Sequence, residues 1–203
     1  MKTWKYTDDI HDYIYIDNVK FGINTAYDNI FKLLEYWEKS NDIETFMRIM
    51  FYKTDHLRIK ELTKDWDADV YMSLINYIMS EFIVDTENVE GEPNKTSGIN
   101  IFKDSELIFA SFYYDYGISL IEKKGKMTWK EFIILLNNLS ITSPLGRVLE
   151  LMSKPDKELT PEGIRQKRKR KLMLNEDADI NKQFDMLANY LKAAGKRDKN
   201  VSK

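Results

Sequence analysis

Residues 104–140, DSELIFASFYYDYGISLIEKKGKMTWKEFIILLNNLS, leave little choice of structure. Two stretches of helical period stand on either side of Gly117, each with its own start signal, Asp104 and Thr128. Thr128 and Glu131 have capping-box spacing, in which each side chain satisfies a backbone N–H left free in the first turn. Behind them Trp129, Phe132, Ile133, Leu136 and Leu139 recur as one buried stripe. The aromatic set Phe109, Phe112, Tyr113, Tyr114, Tyr116, Trp129 and Phe132 exceeds what one helix face needs. Part of it is therefore expected to pack on other helices or other chains. The stretch holds no residue set able to do covalent chemistry.

The rest of the chain repeats the helical pattern after one strand-like opening. From Tyr13 to Ile23 apolar and polar residues alternate around Asp17–Asn18, a pair that tolerates positive φ, which predicts a hairpin. Thr25 with Asp28 predicts a capped helix carrying Tyr27, Ile30, Phe31, Leu34 and Trp37. Asp42 opens a second, with Ile43, Phe46, Met47, Met50 and Phe51 on one face; a third, from about Asp67 to Val84, groups Val70, Tyr71, Leu74, Tyr77, Ile78 and Phe82. Ser143–Pro144 and Thr160–Pro161 each place proline at a first helical position, where its missing N–H costs nothing. Asp179 can cap a last helix with Ile180, Phe184, Leu187, Ala188 and Leu191 in line, ended by Gly195. The expected fold is mainly α: a helical domain with a short N-terminal β-hairpin and a basic plus amphipathic C-terminal helical extension. Its expected organisation is hairpin and helices over 1–84 and a loop or linker over 85–103. The two-helix segment of the same domain follows over 104–153, then the basic helix, amphipathic helix and frayed tail over 154–203. No internal repeat appears.

Composition narrows the function classes. With 43% hydrophobic and 32% charged residues the chain reads as globular, and no window approaches a membrane span. The N-terminus, MKTWKYTDDIHD, does not read as a signal peptide, so a cytosolic protein is expected. Zero cysteines exclude disulfides, thiolate nucleophiles and Cys-ligated zinc. His11 and His56 are isolated, and the eight glycines form no phosphate-cradling loop. Asp65, Asp67 and Asp69 imitate the start of a calcium loop, but Val70 replaces its turn glycine and Asn76 its bidentate glutamate. Acidic residues favouring a helix N-terminus explain them better. The sequence offers no catalytic, cofactor-binding or metal-ligating set, and a non-enzymatic role is expected.

The ordered residues Asp104, Leu107 to Phe112, Tyr116–Gly117–Ile118, Trp129, Phe132 and Leu136 to Ser140 resemble a signature of a small helical phage family. That family is known as gene product fifteen of phages of Gram-positive bacteria. Its pattern is an aspartate-led helix ending "IYASF…YGI", then a Trp-containing helix ending "LNGLS". Near the N-terminus, Ile23, Asn24 and Thr25 match the family's strand-to-helix opening, and Ile164 to Leu174 supplies its basic helix. This chain departs from the pattern at Met127–Thr128–Trp129–Lys130, where the family has a double Trp preceded by Leu-His, and at Arg147, which lies at another offset from the family arginine. The resemblance implies a siphophage tail assembly chaperone. Such a protein binds the long, helical tape measure protein, keeps it soluble, helps recruit tail tube (major tail) subunits, and is absent from the finished virion. Self-association along the tape measure is a further expectation.

Two surfaces are candidates for partners. The exposed remainder of Tyr113, Tyr114, Tyr116 and Trp129 offers aromatic area with few rotamers to freeze. Nine methionines suit an adaptable groove, and equally an ordinary core. The basic residues Arg165, Lys167, Arg168, Lys169, Arg170 and Lys171 form the second. Their five adjacent charges wrap a helix and lack interleaved aromatics, which argues against nucleic acid; the other readings are a solvated face or docking on an acidic protein surface, including this chain's own. The last helix either packs on its own domain or lies on a partner. The rival functions are a small regulatory or nucleic-acid-binding phage protein using the 165–171 helix, and a structural tail component.

Overall fold

A computed structural model describes residues 12–39, 42–83 and 99–175. They fall into two compact units: 12–39, 42–83 and 124–131 belong to the first, 99–123 and 132–175 to the second. The described chain is mainly helical with one two-stranded antiparallel hairpin, as the periodicities predict. Residues 85–98 of the expected 85–103 linker, and the helix expected from Asp179, lie outside the described residues.

The first unit opens with β1 (Tyr13–Ile16) and β2 (Val19–Gly22), paired Ile14↔Phe21 and Ile16↔Val19. Asp17 and Asn18 take φ of 49° and 63°, the two positive values that let a two-residue turn match strand twist. Short polar side chains that tolerate this region stand in for glycine. Ile14, Ile16 and Phe21 turn inward, while Tyr13 and Tyr15 stay exposed.

Next comes α1 (Tyr27–Lys39), whose expected capping box does not form. Thr25 donates its hydroxyl to Asp12, and Asp28 accepts the Gly125 N–H at 2.8 Å. The helix start is met instead by backbone: Tyr27 N–H donates to Met127 O at 3.0 Å, and Trp129 N–H to Thr25 O at 2.6 Å. Ala26 and Thr128 form a bridge. A later segment thus does what two local side chains were expected to do. Asp42 does cap α2 (Ile43–Met50), accepting from Thr45 N–H at 3.0 Å and Glu44 N–H at 3.3 Å. Phe46, Met47 and Met50 are buried from that helix.

Two features differ from expectation. A helix unpredicted by period, α3 (Lys53–Leu62), buries only Ile59 on its length. In α4 (Ala68–Ile78), capped by Asp67 through Val70 N–H at 3.0 Å, the buried residues are Ile75 and Ile78. Val70 and Tyr77 are exposed. Tyr71 sits at the edge because its hydroxyl donates to Thr63 O at 2.9 Å. A π-helical turn, Met79–Ile83, then rephases the helix and buries Met79 and Ile83 while Phe82 stays half-buried.

The second unit is built on α5 (Ser105–Tyr116) and α7 (Pro144–Ser153), which pack together. Gly117 ends α5 with φ 64°, the left-handed residue expected after a helix, and its N–H donates to Tyr113 O at 3.0 Å. α6 (Trp129–Asn137) starts with the predicted box: Glu131 N–H donates to Thr128 Oγ1 at 3.2 Å, and Thr128 N–H to Glu131 Oε2 at 2.8 Å. From Phe132 onward α6 belongs to this unit, where the Phe132 and Phe112 rings stack at 5.2 Å. Ser143 caps α7 through Gly146 N–H at 3.1 Å, and Thr160 caps α8 (Pro161–Asn175) through Gly163 N–H at 3.2 Å. A single 3-10 turn, Asp156–Glu158, joins those two helices. Ile108, Phe112, Phe132, Leu136 and Leu145 are the buried centre.

Candidate partner-binding surface

The four aromatic candidates separate sharply. Trp129 is 3% exposed and lies in the first unit, its indole N–H donating to Ile83 O at 2.9 Å and its ring edge-on to Phe31 at 5.7 Å. It is a core residue. Tyr116 is half-buried in the second unit, donating to Leu135 O at 2.9 Å and meeting Phe112 edge-on. Burial, and after it the Asp115 carboxylate, hold the Tyr116 phenol above its ordinary value. Tyr113 and Tyr114 are the exposed remainder, at 63% and 58%. They stand on the α5 face opposite Ile108, Ser111 and Phe112, beside exposed Glu106 and Ala110. A helix exposes two adjacent tyrosines this way when its buried stripe is already filled by other residues. Ile134 and Ile141 add exposed apolar area in the same unit.

The basic helix does not present all its charges to solvent. Lys167 and Arg170 are turned inward, which corrects their placement on a basic surface. Lys167 donates to Lys154 O and pairs with Asp156 at 3.1 Å; this interaction holds the Asp156 carboxyl below its ordinary value. Arg170 makes a two-pronged pair with Asp104, whose side chain is 1% exposed and also accepts Asn100 N–H at 2.8 Å. Asp104 therefore does not cap α5; its carboxylate is used backward and sideways. Lys103 adds a bond to Met173 O at 2.8 Å. Gly163, Lys167, Arg170 and Leu174, at i, i+4, i+7 and i+11, make the inward face, while Arg165, Arg168, Lys169 and Leu172 face out. That four-residue spacing was readable in the sequence and shows the run dividing into two faces.

Other resemblance-bearing residues also serve as internal ties. Asp115, between the matched segments, accepts Ser140 N–H at 2.7 Å and its hydroxyl at 2.6 Å. Ser111 Oγ accepts Leu145 N–H at 2.8 Å, fixing α7 against α5. The acidic group expected at the third helix is seen as such, with Asp67 the cap and Asp69 in the first turn. His56 is half-buried on α3, and His11 lies outside the described residues. Among the described residues no three His, Asp or Glu side chains converge to hold a metal ion, and no helix is long and apolar enough to cross a membrane.

A mainly helical chain opened by a two-stranded hairpin, with aromatic and cationic helix faces turned to solvent, is the class this geometry defines. Residues 7–189 match the family model described as Bacteriophage Gp15 protein, and the chain belongs to that family. It is a phage protein. No curated protein and no solved structure matches it.

Proposed function

We propose that the chain is a tail assembly chaperone that binds the tape measure protein, keeps it soluble and helps recruit tail tube subunits. Family membership over 7–189 carries this reading, joined to the resemblance described above. The physical demand is reversible burial of another helix's apolar stripe without covalent chemistry. Tyr113 and Tyr114 answer it, being exposed residues of a type enriched at interface centres, on a helix anchored by Phe112 and Ser111. Action in the host cytosol and absence from the mature virion follow from the same reading.

Co-expression with the tape measure protein of the same phage is the test. The soluble fraction of the tape measure protein should rise, the two should co-purify, and finished particles should lack this chain. A tape measure protein that precipitates equally with and without the chain would remove the proposal. Retention in particles would instead make the chain a structural tail component.

A further inference from the structure

We propose that residues 2–7 of the same chain pair antiparallel with the outer edge of β1 as a third strand, with Trp4 opposite Tyr15 and Tyr6 opposite Tyr13. The inference goes beyond tape measure binding and does not depend on it. Hydrogen-bond phase defines the edge. Ile23 N–H donates to Asp12 O at 2.8 Å, and the Asp17–Asn18 turn closes between Ile16 and Val19. Bonded and non-bonded residues alternate along an antiparallel pair, so Asp12, Ile14 and Ile16 aim their backbone groups at β2. The N–H and C=O of Tyr13 and Tyr15 point the other way, and among the described residues no strand meets them. The outer side of β2 differs: Gly22 N–H donates to Asp55 at 2.9 Å, and Ile23 bridges to Phe51. β1 reads Tyr-Ile-Tyr-Ile, without the lysine, proline or bulge that guards an open edge. Its solvent face is aromatic. Tyr13 and Tyr15 are 41% and 63% exposed and meet edge-on at 5.6 Å, with the Lys20 ammonium 3.8 Å over the Tyr13 ring.

Sequence and tether together choose the occupant. Residues 2–7, Lys-Thr-Trp-Lys-Tyr-Thr, are rich in types that favour strands and hold neither glycine nor proline. Asp8 and Asp9 favour a reversal within 7–12, as Asp17–Asn18 makes one at the other end of β1. In the proposed register Trp4 and Tyr6 lie across from Tyr15 and Tyr13, aromatic cross-strand pairs that stabilise a sheet face. Lys2 then falls opposite exposed Asp17. The segment runs straight into β1 through Asp12, so its local concentration at this edge is on the order of millimolar, far above that of a second copy in solution. A second copy's β1 also has no charged residue to set against Asp17.

The test is amide hydrogen exchange by NMR on the full chain as wild type, Y6P and K5P. In the register above Tyr6 N–H meets Tyr13 O while Lys5 N–H points away, so only Y6P removes a bond to β1. Exchange at the Tyr13 and Tyr15 amides should be slowed by about tenfold or more, relative to an open chain, in wild type and K5P, and released in Y6P. The Ile14 amide, bonded to β2, is the internal reference for an intact hairpin in all three. Protection in wild type should hold through a dilution of about a hundredfold, because the strand is tethered. Wild-type Tyr13 and Tyr15 amides that exchange as fast as an open chain overturn the proposal, as does a Y6P protein that keeps them protected or a K5P protein that releases them. Protection that fades on dilution overturns it as well, and gives the edge to a second copy.

Discussion

Replacing Arg170 by methionine should be among the most damaging single changes on the surface-facing elements of the second unit. The substitution keeps an unbranched chain in α8 and removes the guanidinium that holds Asp104. With Asp104 1% exposed, its carboxylate would keep the Asn100 N–H at 2.8 Å and lose its cation. Removing one partner of a buried pair costs about 3–5 kcal/mol, most of it the penalty of the charge left behind. The retained Asn100 bond places the cost near the lower end, about 3 kcal/mol, or a fall in melting temperature of roughly 6–12 °C for a chain of this size. D104N/R170M removes both charges and should be less damaging than R170M alone, with a coupling of about 2 kcal/mol in the double-mutant cycle. Urea unfolding followed by circular dichroism gives the energies. Hydrogen exchange should show α8 amides losing protection first, because Arg170, with Lys167 and Lys103, ties α8 to the rest of its unit. An R170M protein within about 0.5 kcal/mol of wild type, or single-mutant costs that simply add, would refute the reasoning.

Three further outcomes are expected. G146A should destabilise by about 3 kcal/mol, since a Cβ there would overlap the Ser140 carbonyl and lie 2.9 Å from Ile141 Cα, both backbone; thermal unfolding measures it, and a neutral result would contradict the packing of α7. Y113A and Y114A should each leave stability within about 0.5 kcal/mol yet weaken tape measure binding by more than about 1 kcal/mol; loss of both properties together would mark the residue as structural. Asp42 is held below its ordinary value of 3.8, first by its bond with the Thr45 side chain and then by the cap to the Thr45 backbone. Its folded value is the lower one, so its contribution is complete above the unfolded value and fades as pH falls through the folded value. D42N keeps a capping side chain that does not titrate. The stability gap between wild type and D42N should therefore shrink as pH drops below 3.8, and a gap constant across that window would count against the assignment.

Local chemistry was legible at several positions where one residue decides a local geometry, though not at Asp104, whose carboxylate goes to Arg170 and Asn100 instead of a cap. Asp17–Asn18, Asp42, the Thr128–Glu131 pair, Ser143–Pro144 and Thr160–Pro161 each do in the structure what their spacing implies. Thr25 and Asp28 had the same spacing as Thr128 and Glu131 but found better partners in Asp12 and Gly125, neither of them in α1. Helix faces were legible only where one apolar stripe stands out. α4 is apolar nearly all round, so its period fits several faces, and the π-helical turn after it moves the phase again. α3 is the reverse case, too polar for periodicity to reveal, because only Ile59 enters the core. Among the candidate residues, side-chain type gave no guide to burial: Trp129 fills the core while Tyr113 and Tyr114 do not, and α8 divides its cations between an inner and an outer face.

The backbone bridge that closes the start of α1 has a consequence for synthesis. Residues 124–131 complete the first unit, yet residues 86–123 leave the ribosome before them. Met127, whose carbonyl accepts the Tyr27 N–H, and Trp129, whose indole N–H donates to Ile83 O, both belong to that later segment. Nascent chains in which residues 12–83 have cleared the exit tunnel should consequently stay protease-sensitive over that stretch, and resistance should appear only once residue 131 has cleared it too.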